Sequence, residues 1–263
     1  MGDVLRIRRE GAVLVLSHNN VAARNALSPA FYAAMAVALR EAAADPGVGA
    51  IVLTGEGGHF CAGGDLRQLA QRRALPIEER LAKLEGLHEL IRGVRDCPKP
   101  VIAAVEGAAA GAGLSLALAC DMLVAAKNAV FSVAYVKVGL TPDGGATAFL
   151  AEFVSRQVLT ELCLTGERIS GERLHALGPV NRLAEPGQAL AGALELAGQI
   201  AGGPEQAMAR IKHLCRQAPR NTLEEQLALE AQYMVRSQET EESREGIGAF
   251  LEKRTPDFTQ LRR

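Results

Sequence analysis

Hydrophobic and polar positions alternate along the first part of the chain between strand-like and helix-like periods. Residues 4–8 (VLRIR) and 12–17 (AVLVLS) read as two strands of a hairpin that turns at Glu10-Gly11. A helix opens with Ser28 as N-cap and Pro29 in its first position, where the missing proline N–H has no intrahelical partner to lose. Its apolar face recurs through Phe31, Met35, Val37, Ala38 and Ala42. Residues 49–55 (GAIVLTG) are a short uninterrupted apolar run, as expected of a strand buried on both faces. A glycine-rich turn follows, then a helix from about Asp65 and a longer amphipathic helix over 78–96, stopped by Pro98 and Pro100.

VIAAV (101–105) predicts a third buried strand and residues 111–119 a Gly/Ala-rich helix. DMLVAA (121–126) and VFSV (130–133) add strands. This repetition of strand, turn and helix without a long polar linker predicts an α/β core. From about Leu183 onward only helix is expected, with a capping box at Thr222–Glu225 and a polar, proline-containing tail over 254–263. No low-complexity segment and no fixed-period repeat interrupts the chain.

With 263 residues, 48% apolar and 22% charged, the chain suits one large domain or a main domain with an appendage. Lys and Arg number 29 against 30 Asp and Glu, so no basic excess is available to neutralise nucleic acid. The longest uncharged run, Gly107 to Cys120, is too short to span a bilayer. The opening MGDVLRIRREG has no apolar core of a secretory leader, which predicts a cytoplasmic protein. Five cysteines without a C-x-x-C pair, and no H-x-x-x-H pair, predict free thiols and no metal site.

Two segments share one layout: a buried strand ends, small residues follow and a helix begins. They are HFCAGGDL (59–66) and EGAAAGAGLSLALACD (106–121). Neither is a P-loop, since no Gly-Lys-Ser/Thr follows, and neither completes G-x-G-x-x-G, because Leu116 stands where the last glycine belongs. The first N–H groups of a helix lack internal acceptors and carry partial positive charge. Two such turns side by side would aim two donors at one point, an oxyanion hole. Close helix–sheet packing is the other use of the same glycines and alanines.

The stretches ARNAL (23–27), HFCAGGDL (59–66), KPVIAAVEGAAAGAGLSLALACDMLVA (99–125), VGLTPDGG (138–145), LTGERISG (164–171) and AFLEKR (249–254) resemble the enoyl-CoA hydratase/isomerase (crotonase) superfamily. They span almost the whole chain in family order. The resemblance implies a spiral of ββα turns over 1–200 and a helical trimerisation region over 201–263, giving a homotrimer or a dimer of trimers. It implies an acyl-CoA substrate, with coenzyme A as part of the substrate and no separate cofactor. By position, the two oxyanion donors would be the amides of Gly64 and Ala112. Ala112 stands where the family usually has glycine, and alanine keeps the N–H. Ala62 matches a backbone contact to coenzyme A, and Arg24 lies in the loop that resembles the family's nucleotide contact. Phe250 and Lys253 match positions that reach the adenosine, often that of a neighbouring subunit. For Arg24 and Lys253, a solvated surface charge is the alternative. The apolar stretch 66–94 is expected to border the acyl group.

The family's hydratases use two glutamates, and the matching positions here hold Ser115 and Tyr135. Neither side chain is a base near neutral pH without help. The resemblance therefore implies the acyl-CoA site but argues against ordinary water addition. Asp143, in TPDGG (141–145), resembles the aspartate of isomerase members, where one carboxylate can move a proton between two carbons. A turn or helix-cap role is its alternative. Ser115 could instead be a nucleophile, were a histidine placed on it. Tyr135 either donates a hydrogen bond in the pocket or fills space. The expected activity is double-bond isomerisation of an acyl-CoA. Hydration or another lyase or hydrolase reaction with relocated acid/base groups, and non-catalytic acyl-CoA binding, are the alternatives.

Overall fold

The computed structural model describes residues 3–262. The chain opens with β1 (Leu5–Glu10) and β2 (Val13–His18), an antiparallel hairpin turning at Glu10-Gly11. In α1 (Pro29–Ala44), the Ser28 hydroxyl caps the helix by accepting from the Phe31 amide. Its buried face is Phe31, Met35, Ala38, Leu39 and Ala42. Val37, expected on that face, is 43% exposed. It lies two residues past Met35, off the stripe that a spacing of three and four residues puts on one side.

β3 (Ala50–Gly55), α2 (Leu66–Arg72) and α3 (Ile77–Asp96) follow, then β4 (Val101–Val105), β5 (Ala108–Ala110) and α4 (Ala112–Ala119). The next turn of chain is β6 (Met122–Ala126), β7 (Val130–Ser132), α5 (Ala146–Ala151) and α6 (Arg156–Thr165). It is followed by β8 (Ile169–Ser170), α7 (Gly171–Ala176) and β9 (Arg182–Ala184). One sheet runs β1-β2-β3-β4-β6-β9 and the other β5-β7-β8. Each turn thus leaves a strand in the large sheet, places one in the small sheet and returns through helix. The isolated bridge between Cys61 and Ala109 extends the small sheet to the turn after β3. This is the expected spiral of ββα turns.

Side chains alternate across the central strands of the large sheet, and there both faces are buried. Leu16, Ile51, Leu53, Ala103 and Val105 pack toward α1, α3 and α4. Val15, Ala50, Val52, Ile102, Ala104 and Val124 pack on Ala193, Leu196, Ala197 and Ala201 of α8 (Ala189–Ala201). The central strands therefore read as continuous apolar runs. Three strands lie outside the expectation, the two-residue β8 beside β7 being one. β5 forms from three alanines because β7 and Cys61 flank it, and β9 extends the large sheet where only helix was expected, Leu183 pairing with Ala125.

The chain ends in α9 (Glu205–Gln217), α10 (Leu223–Gln238) and α11 (Glu241–Leu251), with the capping box at Thr222 and Glu225 in place. Glu205 meets buried Lys99 at 2.7 Å, and Lys212 meets Asp121 at 2.6 Å, so α9 is fastened to the core by ion pairs. The Glu242 carboxylate accepts from the amides of Gln206 and Ala207 at the start of α9. Outward-facing Leu223, Leu227, Met234, Val235 and Phe250 are exposed. Among the described residues no helix is long and apolar enough to cross a membrane.

Candidate active site

The loop after β2 is built around Asn25. Arg24 and Asn25 both have left-handed backbone, with φ of 49° and 57°. Asn25 is fully buried and replaces missing backbone partners on three sides. Its Oδ1 accepts from the Asn20 amide, and its Nδ2 donates to the carbonyls of Glu56 (2.9 Å) and His59 (2.6 Å). The loop is thereby sewn to the first glycine turn. The Ala62 amide donates to the Arg24 carbonyl and the Leu27 amide to that of Gly63. Arg24 and Ala62, both expected at coenzyme A, are thus brought together, with the Arg24 side chain exposed.

The two glycine turns lie side by side. The Cys61 amide donates to the Ala108 carbonyl, and the Ala110 amide to that of Cys61. A Cβ at Gly113 would stand 2.3 Å from the Cys61 oxygen. One at Gly63 would stand 2.6 Å from the Ala110 oxygen and 3.5 Å from the Ala112 nitrogen. Gly111 has φ 52° and ψ −128°, a conformation that only glycine adopts readily. Position 112 is different, because it is the first residue of α4 and is free to be alanine. Among the described residues, neither the Gly64 nor the Ala112 amide has an acceptor in the chain. Burial pushes the Cys61 thiol up to about 12, so it is no nucleophile near neutrality.

Asp143 lies between the 3₁₀ helix Ala134–Val138 and α5. Its side chain caps no helix among the described residues: the N-cap of α5 is Gly145, with no side-chain cap. Instead Tyr135 Oη donates to Asp143 Oδ1 at 2.6 Å, and Ser115 Oγ donates to the Asp143 carbonyl at 2.9 Å. The two hydroxyls are 3.5 Å apart. Gly144, with φ 59°, lets this loop close on α4, since a Cβ there would lie 3.0 Å from Ser115 Cβ. Burial first, and the Asp143 charge second, push the Tyr135 phenol upward, so it remains a neutral donor.

No histidine serves Ser115 among the described residues. His59 Nδ1 accepts from the Ala108 amide, His18 stacks on Phe31, and His88 meets Glu85. His175 pairs with the Val180 carbonyl, and His213 with Tyr233. The site also holds two residues that the sequence reading passed over. One is Asn25. The other is Tyr32 of α1, whose ring lies against Gly86 of α3. Burial pushes its phenol up to about 12, with the Arg72 charge opposing and those of Asp143 and Cys61 adding. Tyr32 sits between the apolar positions of α1, where periodicity carries no signal for it. Phe250 and Lys253 are exposed at the end of α11. Among the described residues no hydrogen bond or ion pair ties them to the turns.

The profile of the enoyl-CoA hydratase/isomerase family matches residues 8–262. The chain belongs to the enoyl-CoA hydratase/isomerase family. It is therefore an enzyme fold that processes acyl-CoA thioesters. The 1,2-epoxyphenylacetyl-CoA isomerase of Escherichia coli K12 is 35% identical over 251 residues, 95% of this chain and 96% of that protein. The 2,3-dehydroadipyl-CoA hydratase of the same organism is 36% identical over 255 residues, 97% of this chain and 98% of that protein. The crystal structure of an enoyl-CoA hydratase from Polaromonas sp. JS666 superposes with a TM-score of 0.94 at 50% identity, covering 96% of this chain and 98% of that one. Both isomerase and hydratase names thus occur among these relatives, at 35% identity for the isomerase and at 36% and 50% for the two hydratases.

Proposed function

We propose that this enzyme isomerises the double bond of an acyl-CoA, with Asp143 as the single acid/base and the amides of Gly64 and Ala112 as the oxyanion donors. The observation that carries the reading is the state of Asp143: its carboxylate is held by Tyr135 rather than spent on a helix end. In this scheme Asp143 takes a proton from the carbon between the thioester carbonyl and the double bond. The C–H electron pair moves into the carbonyl and forms a dienolate. Its oxygen accepts from the two free amides, each worth about 2.7–4 kcal/mol to the barrier. The Asp143 carboxyl then returns the proton two carbons further along, the double bond comes into conjugation, and nothing is consumed.

Arg24, Ala62, Phe250 and Lys253 would hold coenzyme A, the last two from a neighbouring subunit of a trimer or a dimer of trimers formed through residues 201–263. The exposed apolar residues of α10 and α11 support that assembly. The isomerase name of one relative supports the reaction, and the hydratase names of the other two keep water addition as the second reading.

Incubation in D₂O with a 3-enoyl-CoA and, separately, a 2-enoyl-CoA separates them. Deuterium uptake with a moved double bond and no added water is expected, and is lost in Asp143→Asn while acyl-CoA binding persists. A product heavier by one water, or full activity in Asp143→Asn, would overturn the proposal.

A further inference from the structure

We infer that Tyr135 and Ser115 are positioning residues for Asp143, a two-point hydroxyl clamp with Tyr135 on the carboxylate and Ser115 on the backbone carbonyl, which leaves Oδ2 alone to carry the proton. The inference rests on Asp143 being the base. Its ground is the hydrogen count. A hydroxyl has one hydrogen to give. Ser115 gives its own to the Asp143 carbonyl at 2.9 Å. Tyr135 has three acceptors within reach: Asp143 Oδ1 at 2.6 Å, the Asp143 carbonyl at 3.3 Å and Ser115 at 3.5 Å. The nearest is also the charged one, and a bond to an ionised acceptor is the stronger. Both hydrogens are therefore directed to one residue, and neither is left for a water or a substrate.

Among the described residues the clamp supplies every side-chain hydrogen bond that Asp143 receives. Gly144 and Gly145 follow it with φ of 59° and 85°, and residues 137–141 before it are exposed. The clamp's two halves come from rigid places. Ser115 is fully buried in α4, the helix that begins at Ala112, and Tyr135 is buried in the 3₁₀ helix. The element that presents one proposed oxyanion donor thus also holds the base, so the distance between them is set by a single turn of helix and one hydroxyl. Tyr135 remains protonated, and so able to donate, because burial and the Asp143 charge both oppose its ionisation.

The test uses Tyr135→Phe, Ser115→Ala and Asp143→Asn in the full chain, assayed with hex-3-enoyl-CoA over a range of pH, together with a crystal structure of Tyr135→Phe. Tyr135→Phe is expected to lower kcat by about tenfold to a hundredfold with KM within about twofold, as a misplaced reacting group does. The acid limb of its rate profile should move to higher pH, because a donor to the carboxylate has been removed. In the crystal the Asp143 carboxylate should occupy more than one rotamer. Ser115→Ala should lower kcat by a smaller factor. Full activity in Asp143→Asn would remove the base assignment itself. Loss of activity there, with unchanged kcat and acid limb in Tyr135→Phe, would overturn the clamp alone. An Asp143 side chain unmoved in the Tyr135→Phe crystal would overturn it even where the thioester is not turned over.

Discussion

The side-chain amide of Asn25 donates to the His59 carbonyl across 2.6 Å, joining the loop after β2 to the first glycine turn. Asn25 also serves Glu56 and Asn20, and it holds a left-handed φ that asparagine tolerates better than most residues. Asn25→Ala leaves three partly buried backbone groups without partners at up to about 1–3 kcal/mol each before relaxation. A loss of about 3 kcal/mol or more in unfolding free energy is expected from urea denaturation. Asn25→Asp should do no better, because it replaces the donor to two carbonyls by a carboxylate. Wild-type stability in either variant would show that the loop is held elsewhere.

The contact between the two glycine turns has no spare room. Gly113→Ala would put a Cβ 2.3 Å from the Cys61 carbonyl oxygen, a backbone atom that can move only with its turn. The proposed donors should separate, and turnover should fall by about 10²-fold or more, the cost of losing one such donor. Gly64→Pro should do the same by deleting an N–H outright. Steady-state kinetics beside circular dichroism separate this from unfolding. Normal turnover in folded Gly64→Pro would remove that amide from the reaction.

Much of this arrangement was legible from residue patterns. β2, β3 and β4 appear as apolar runs because both of their faces are buried, and Ser28-Pro29 marks the start of α1. Glycine at 63 and 113 marks places where no Cβ fits, and glycine at 111 a backbone conformation that other residues avoid. Other features depend on contacts that no local window contains. β5 is three alanines, made a strand by its neighbours in space. Asn25 is one polar residue in a polar loop, and two of its partners lie 31 and 34 residues away. Ser115 and Asp143 are 28 residues apart and meet only because Gly144 lets the loop close on α4. The family resemblance located Asp143, Ser115 and Tyr135 singly, and only the fold brought the three together.

Acid should destabilise the protein through His18. This side chain is 2% exposed, stacks on Phe31 with ring centroids 3.8 Å apart, and has no hydrogen-bond partner for either nitrogen among the described residues. Burial lowers its pKa from 6.5 to about 4. Between those values the unfolded chain binds the proton and the folded one does not, so stability rises with pH through that window. The contribution is complete above pH 6.5 and is lost as pH falls to about 4, a difference of about 3 kcal/mol. His18→Leu should flatten the pH dependence by that amount in denaturation curves taken from pH 4 to 7. Parallel curves for wild type and variant would assign the acid sensitivity to other groups.

The hold of α9 on the core should fail when Lys212 is removed. Burial is the main influence on Asp121 and raises its pKa, and the Lys212 charge works against that rise. The ammonium lies 2.6 Å from Asp121 Oδ2 and also donates to the Lys99 carbonyl at 3.2 Å. The Asp121 carboxylate accepts from the Val101 amide at the start of β4. Lys212→Met keeps the length of the side chain but leaves a partly buried carboxylate without its counter-charge, at a cost of about 1–3 kcal/mol. The double variant Asp121→Asn/Lys212→Met should recover part of that loss, because no uncompensated charge remains. Hydrogen exchange adds the location: amides of α9 should exchange faster in Lys212→Met while those of β3 change only as far as global stability dictates. Equal stability of the single and double variants would mean that solvent reaches Asp121 freely and that the pair does not fasten the helix.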